Sequence, residues 1–282
     1  MKTLLILLIF FIALLPNYAQ NLNGIVLEQE TDNPVSYASI GIINKNGGTY
    51  SDIDGKFHFV QTDYEKSDSL RFSCIGYKSV TYSLSDLIEK YGNSSMRVSM
   101  EKQAFRLKGV DIIPHEYKVQ EIGNKLSCRQ ISICARNDKE TGIVLRNHKT
   151  LFLTKLTFKL IMLPAMPDSV LMRFNIYNLK NDLPSELILE KPVYILLSKE
   201  LADDKITIDL EKYGIVVNGD FAATIEIIKL YGAEKICFAG WISGNPTVFK
   251  YGKQGRWTYP VDDKKTKLKI YQSMYLGVRI KK

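Results

Sequence analysis

Apolar and polar positions alternate along most of the chain, and the dominant period is two rather than 3.6. Phe57 and Phe59 stand between Lys56, His58 and Gln61, which predicts a strand buried on one face. A slip of one residue would expose both phenylalanines. The run from Leu151 to Leu160 alternates through its middle, and the run from Val170 to Tyr177 repeats the pattern with Arg173 and Asn175 on its polar face. Residues 188–197, 205–210 and 221–228 read as further half-buried strands. Asp54-Gly55 predicts a hairpin, since Asp can bond backbone amides and Gly accepts positive φ. Asn33-Pro34 and Asn181-Asp182-Leu183-Pro184 supply further turns. Past the first twenty residues, the clearest helical signal is Ser85 to Gly92, with Ser85 or Asp86 near its start and Gly92 past its end. The fold class expected is all-β.

The order of these pieces carries a resemblance. Asn23-Gly24-Ile25-Val26, then Asn33 to Ile40, Gly48 to Phe59 and Asp68 to Tyr77 together resemble the carboxypeptidase-like regulatory domain. That resemblance implies a transthyretin-like β-sandwich, of a kind that Bacteroidota-type bacteria attach to exported proteins. Farther on, Gly123-Asn124, Arg173 to Tyr177, Asp209 to Tyr213 and Gly219-Asp220-Phe221 resemble the jelly-roll half often appended to such a domain. The implied organisation is a regulatory-like β-sandwich over 20–114, a linker over 115–122 and an antiparallel jelly-roll-like β-sandwich over 123–282. Neither resemblance brings a ligand with it.

The first twenty residues fit neither sandwich. Met1-Lys2-Thr3, the apolar run from Leu4 to Leu15 and Pro16-Asn17-Tyr18-Ala19 have the layout of an export signal over 1–19, with cleavage expected after Ala19. A retained anchor is the other reading, but the run is shorter than the roughly 20 residues a bilayer span needs. With no cysteine at the cleavage region, a lipid-modified amino terminus is not expected. The expected location is therefore the periplasm, the outer-membrane surface or the medium.

Formal charge is +8, and much of the excess lies in Lys264, Lys265, Lys267, Lys269, Arg279, Lys281 and Lys282. Such a basic strand face suits either peripheral contact with the outer-membrane surface or a solvated sheet edge that resists pairing. Nucleic acid is not an expected partner, because no recognition motif accompanies the charge.

Candidate chemistry is sparse. His58, His115 and His148 are followed three residues on by Gln61, Lys118 and Leu151, so the His-x-x-Glu pair of a zinc carboxypeptidase is missing. HExxH, G-x-S-x-G and phosphate-cradling glycine patterns are missing too. Asp52 and Asp54 suit turn chemistry better than calcium, since the fuller loop is absent. Neither a cofactor nor a metal site is expected. Of the four cysteines, Cys74 reads as a small buried hydrophobe; Cys128 and Cys134 can bond if a hairpin brings them together, whereas a single strand would hold them apart. A hydrolase built on carboxylates distant in sequence stays open, its sign being two acids facing each other in a concave pocket.

The region from Trp241 to Tyr275 concentrates aromatics among glycines. Trp241, Tyr251, Trp257 and Tyr259 are the candidate ligand-binding residues, because aromatic faces stack on sugar rings. The competing reading puts Trp241 and Phe249 in the sandwich core and Tyr251, Trp257 and Tyr259 over its end. The function expected is an exported, non-catalytic envelope protein acting in interaction, scaffolding or adhesion toward an envelope protein or glycan. A carbohydrate-binding accessory is the alternative, and an unrecognised hydrolase the second.

Overall fold

The computed structural model describes residues 20–61, 64–65, 67–92, 94–103, 116–125, 131–137, 139–161, 166–199, 205–241, 244–259 and 271–281. The first unit comprises β1 (Gln20–Glu28), β2 (Ser39–Ile42), β3 (Thr49–Tyr50), β4 (Lys56–Gln61), β5 (Ser69–Ser73), β6 (Val80–Ser83), α1 (Leu84–Tyr91) and β7 (Ser95–Met100). They form two sheets, ordered β4-β1-β7 and β3-β2-β5-β6. Leu22, Val26, Ile40, Phe57, Phe59, Leu70, Phe72 and Val98, drawn from both sheets, share one core. Phe57 and Phe59 are buried while Lys56 and His58 are exposed, as the alternation predicts.

Two local expectations need correction. Asp54-Gly55 does not close a hairpin: β3 pairs with β2, whereas β4 pairs with β1, so the turn carries the chain from one sheet to the other. Asp52, rather than Asp54, organises it by accepting hydrogen bonds on Oδ1 from the amides of Asp54 at 2.9 Å and Lys56 at 2.8 Å. Gly55 has φ 75° and lies so near β1 that a Cβ would meet the Val26 carbonyl at 2.5 Å. The helix α1 begins one residue earlier than expected, with the Ser83 hydroxyl accepting from the Asp86 amide. Gly92 stands past its end, as expected, in right-handed geometry with φ −55° and its amide bonded to the Ile88 carbonyl.

The second unit is antiparallel throughout its described pairings. Its strands are β8 (Tyr117–Asn124), β9 (Ile131–Ala135), β10 (Lys139–Leu145), β11 (Leu151–Lys159), β12 (Ser169–Lys180), β13 (Leu183–Leu187), β14 (Val193–Ser198) and β15 (Lys205–Asp209). After these come β16 (Val216–Val217), β17 (Phe221–Tyr231), β18 (Ile236–Trp241), β19 (Thr247–Tyr251), β20 (Trp257–Thr258), β21 (Tyr271–Gln272) and β22 (Met274–Lys281). The large sheet runs β13-β12-β17-β10-β19-β20, with β14 also on β12. A second sheet runs β15-β11-β22-β8, with β16 also on β11, and a third runs β21-β18-β9. Inward residues of all three, among them Phe158, Phe174, Ile225, Phe238, Leu276 and Val278, meet in a common core.

The segment expected as a linker becomes strand at Tyr117, because β8 pairs with β22 along its length. That pairing also corrects the reading of the C-terminal strand as a charged edge. β22 lies between β11 and β8, and its Arg279 reaches across to Glu211 at 2.5 Å. The lysines of 264–269 and Lys282 lie outside the described residues. A further correction concerns the cysteines: Cys134 is bonded to Cys237, opposite it on neighbouring strands β9 and β18, and is thus not available to Cys128, which lies outside the described residues. Cys74 remains a free thiol.

Candidate functional site

Alternation along β12 sends Val170, Met172, Phe174 and Ile176 into the core and Arg173, Asn175 and Tyr177 to the opposite face. That polar face is not solvated. Arg173 is 5% exposed and Asn175 1%, as are Glu226 at 3% and Glu140 at 1%. The strand register explains why these four lie together. Arg173 stands opposite Glu226, Glu226 opposite Glu140, Glu140 opposite Lys250 and Lys250 opposite Trp257. A single row therefore crosses β12, β17, β10, β19 and β20, reading cation, acid, acid, cation, indole.

Two neighbouring buried carboxylates would repel each other, and the row is tolerable because each has a cation on its outer side. Arg173 donates to Glu226 Oε2 from Nη2 at 2.7 Å and from Nε at 3.1 Å, a two-pronged contact of the kind that fixes guanidinium geometry. Lys250 Nζ lies 2.5 Å from Glu140 Oε2. Asn175 Nδ2 bridges the acids, 2.7 Å from Glu140 Oε1 and 3.2 Å from Glu226 Oε2. Thr224 Oγ1 donates to Glu140 at 2.5 Å and Tyr177 Oη donates to it at 3.0 Å.

The lid over this row is the first unit. Tyr50 of β3 donates its hydroxyl to Glu226 Oε1, and Lys253 Nζ sits 3.8 Å from the centre of the Tyr50 ring. Arg173 Nη1 donates to the Tyr37 carbonyl at 3.4 Å, while the Tyr37 and Tyr194 rings meet edge to face at 5.4 Å. The turn after β19 also reaches into the first unit. The Lys253 amide donates to the Gly47 carbonyl and the Asn44 amide to the Gln254 carbonyl, both at 2.9 Å. Gln254 Nε2 donates to Ser73 Oγ at 2.8 Å. At Gly252, φ 75°, a Cβ would meet the Gly47 nitrogen at 2.5 Å, so the approach requires glycine.

Burial alone would raise the Glu226 pKa, but Arg173, Lys250, Lys253 and the Tyr50 hydroxyl together hold it well below the usual carboxylate range. Burial and the Glu226 charge push the Tyr50 phenol well up; burial and Glu140 do the same to Tyr177. For Arg173, burial favours the neutral form, yet Glu226 overrides it and keeps the guanidinium charged. Glu226 is thus held as an anion, and both acids are bonded to a cation and to neutral donors.

Beside the row lies a cavity of about 680 Å³ between the units, bounded by Arg71, Ser73 and Gln103 on one side and Asn175, Tyr177 and Trp257 on the other. Among the sequence-predicted binding residues, Trp257 lines this cavity, half-buried, with the Tyr177 ring edge-on at 5.3 Å and Lys250 Nζ 5.0 Å from its ring centre. Tyr259 is half-buried beside it in a small apolar cluster with Val144, Ala222 and Val248, its hydroxyl donating to the Asp182 carbonyl at 2.6 Å. Tyr251 is 43% exposed at the end of β19, with Lys139 Nζ 5.2 Å from its ring centre. The backbone of Trp241 pairs with Tyr271, and its side chain lies outside the described residues. Tyr251, Trp257 and Tyr259 do not form one face. Arg173, Glu226, Glu140 and Asn175 were absent from the candidates read from the sequence; their signal was the shared polar phase of β12, β17 and β10. Among the described residues, no cluster of three His, Cys, Asp or Glu side chains is placed to hold a metal.

The architecture is that of an all-β protein in which a small mixed-sheet unit covers the polar face of a larger antiparallel one. Residues 22–112, which include the first unit, match the family model of the CarboxypepD_reg-like domain. No curated protein matches the chain. Among solved structures it is similar to one of infectious bursal disease virus, Gx strain, at 10% identity and TM-score 0.26, covering 93% of this chain and 64% of the viral one. Another is described as a study of promiscuous carbohydrate-binding modules from the β-sandwich superfamily, at 10% identity and TM-score 0.23, covering 79% of this chain and 97% of that one. Likenesses this weak carry no argument about function.

Proposed function

We propose that the chain is an exported, non-catalytic interaction module of the cell envelope that uses its two β-units together to bind an envelope protein or glycan. The observation that carries the reading is the occupation of Glu140 and Glu226. Acid–base chemistry needs a carboxyl whose proton is exchanged near neutral pH, whereas Glu226 is held ionised by Arg173 and Glu140 is bonded to Lys250, Asn175, Thr224 and Tyr177. What remains at the interface is a shaped polar cavity with aromatic walls, which suits recognition. The Cys134–Cys237 bond supports the export part of the reading, since such bonds persist in oxidising compartments.

Fractionation of cells making the full chain, followed by amino-terminal sequencing, tests export; the expected mature terminus is Gln20. Incubation of the purified protein with polysaccharide and peptide substrates tests the rest. Turnover that Glu140→Gln or Glu226→Gln abolishes would make it a hydrolase and overturn the reading.

A further inference from the structure

The chain carries three Asn-Gly steps, Asn23-Gly24, Asn46-Gly47 and Asn218-Gly219. At such a step the glycine nitrogen can attack the asparagine side-chain carbon, because glycine has no Cβ to obstruct the approach. The surroundings of the three differ. Asn23-Gly24 lies in β1, the middle strand of its sheet, with Gly24 opposite Phe57 on one side and Met96 on the other, so two ladders hold the backbone extended. Asn218-Gly219 is an exposed turn in which a Cβ on Gly219 would meet nothing within 4 Å. The Thr150 hydroxyl donates to Asn218 Oδ1 at 2.6 Å, which polarises the carbon under attack. Asn46-Gly47 is the turn on the seam between the units. Asn46 is exposed, yet the Gly47 carbonyl accepts from the Lys253 amide at 2.9 Å. Gly252 packs so closely here that a Cβ on it would stand 2.5 Å from the Gly47 nitrogen, 2.7 Å from Asn46 Cα and 2.8 Å from the Asn46 carbonyl carbon.

We propose that Asn46-Gly47 is a deamidation site gated by the seam, protected while the first unit covers the second and converted irreversibly once the units part. In the reaction a bond forms from the Gly47 nitrogen to Asn46 Cγ, the Gly47 amide proton passes to water and the Nδ2 group leaves as ammonia, giving a succinimide. Water then opens the ring at either carbonyl. The products are aspartate and isoaspartate, the second with one more carbon in the backbone. Ring closure has to turn the peptide between Asn46 and Gly47, and the Lys253 hydrogen bond and the Gly252 backbone resist that turn while the units are docked. Separation removes both restraints. Afterwards the lengthened turn no longer fits against Gly252, so a molecule that opens long enough to react cannot close again. The inference goes beyond the binding role and requires only the docked geometry.

Timed incubation of the full mature chain in mildly alkaline buffer, followed by peptide mass spectrometry and isoaspartate-specific methylation, tests it. Asn218 is expected to react, Asn46 to react at least roughly tenfold more slowly, and Asn23 to stay intact. Gly252→Ala, whose methyl group wedges the seam, is expected to speed reaction at Asn46 by at least roughly tenfold while leaving Asn218 unchanged. Asn23 remaining intact shows that the sheet of the first unit persists; should it react in Gly252→Ala, Tyr50→Ala loosens the cover without touching the turn and is expected to give the same acceleration. Reacted chains, separated by ion exchange, are expected to melt in two transitions. Reaction at Asn46 as fast as at Asn218 in the unaltered chain, an Asn46 rate that neither substitution changes, or reacted chains that melt in a single transition would each overturn the proposal.

Discussion

At the scale of single residues, the charge row decides most. Arg173→Met removes the guanidinium while leaving Glu226 buried at 3% exposure; stranding one member of a buried pair costs about 3–5 kcal/mol. Urea denaturation at neutral pH is expected to show that loss. In Arg173→Met/Glu226→Leu both charges leave together, and much of the stability is expected to return. Acid has a related effect. The folded pKa of Glu226 lies below its ordinary value of 4.5, so the stability it contributes is complete above that value and is lost as pH falls toward the folded one. Tyr50 and Tyr177 have the opposite sign: their pKa values are raised above 10.0, so their contribution is complete below that value and is lost as pH rises past it. Melting temperature against pH is expected to fall below about pH 4.5, with Glu226→Gln flattening that acid limb. Arg173 and Asn175 were legible as one polar face of β12. What the alternation could not reveal is that another unit buries that face, because a buried salt-bridge row and a solvated strand face have the same period.

At the scale of elements, close approach and cross-linking set the constraints. Gly142, in β10, sits against β17 so tightly that a Cβ would lie 2.0 Å from the Ala223 carbonyl and 2.5 Å from Thr224 Cα. Gly142→Ala is expected to separate these strands and destabilise the second unit by at least about 1–3 kcal/mol, read as a lower urea midpoint of the full chain. The bond between Cys134 and Cys237 closes a loop of 103 residues. Cys134→Ser/Cys237→Ser is expected to cost about 2–5 kcal/mol, measurable as an earlier urea midpoint. The strands themselves were legible because Phe57 and Phe59, or Phe174 and Ile176, fix both element and buried face. Partners were not. Asp54-Gly55 announces a turn, but nothing local says that the strands on either side join different sheets, and no spacing of four cysteines announces that Cys134 takes Cys237.

At the scale of the molecule, the first unit, which matches the CarboxypepD_reg-like family model, is also the cover for a polar sheet face that could not stay buried without it. Tyr50, Tyr37 and the Gly47 turn complete the surroundings of Glu226, Arg173 and Lys253. The cavity takes walls from both units, so a ligand bound there would hold them together. The sequence pointed to Trp257 through its aromatic-rich neighbourhood, but the wall facing it, with Arg71, belongs to the other half of the chain and was invisible to any local pattern. Calorimetric melting of the full mature chain at neutral pH tests this coupling most directly. A single transition is predicted, splitting into two when Tyr50→Ala and Arg173→Met are combined; two independent transitions in the unaltered chain would contradict it.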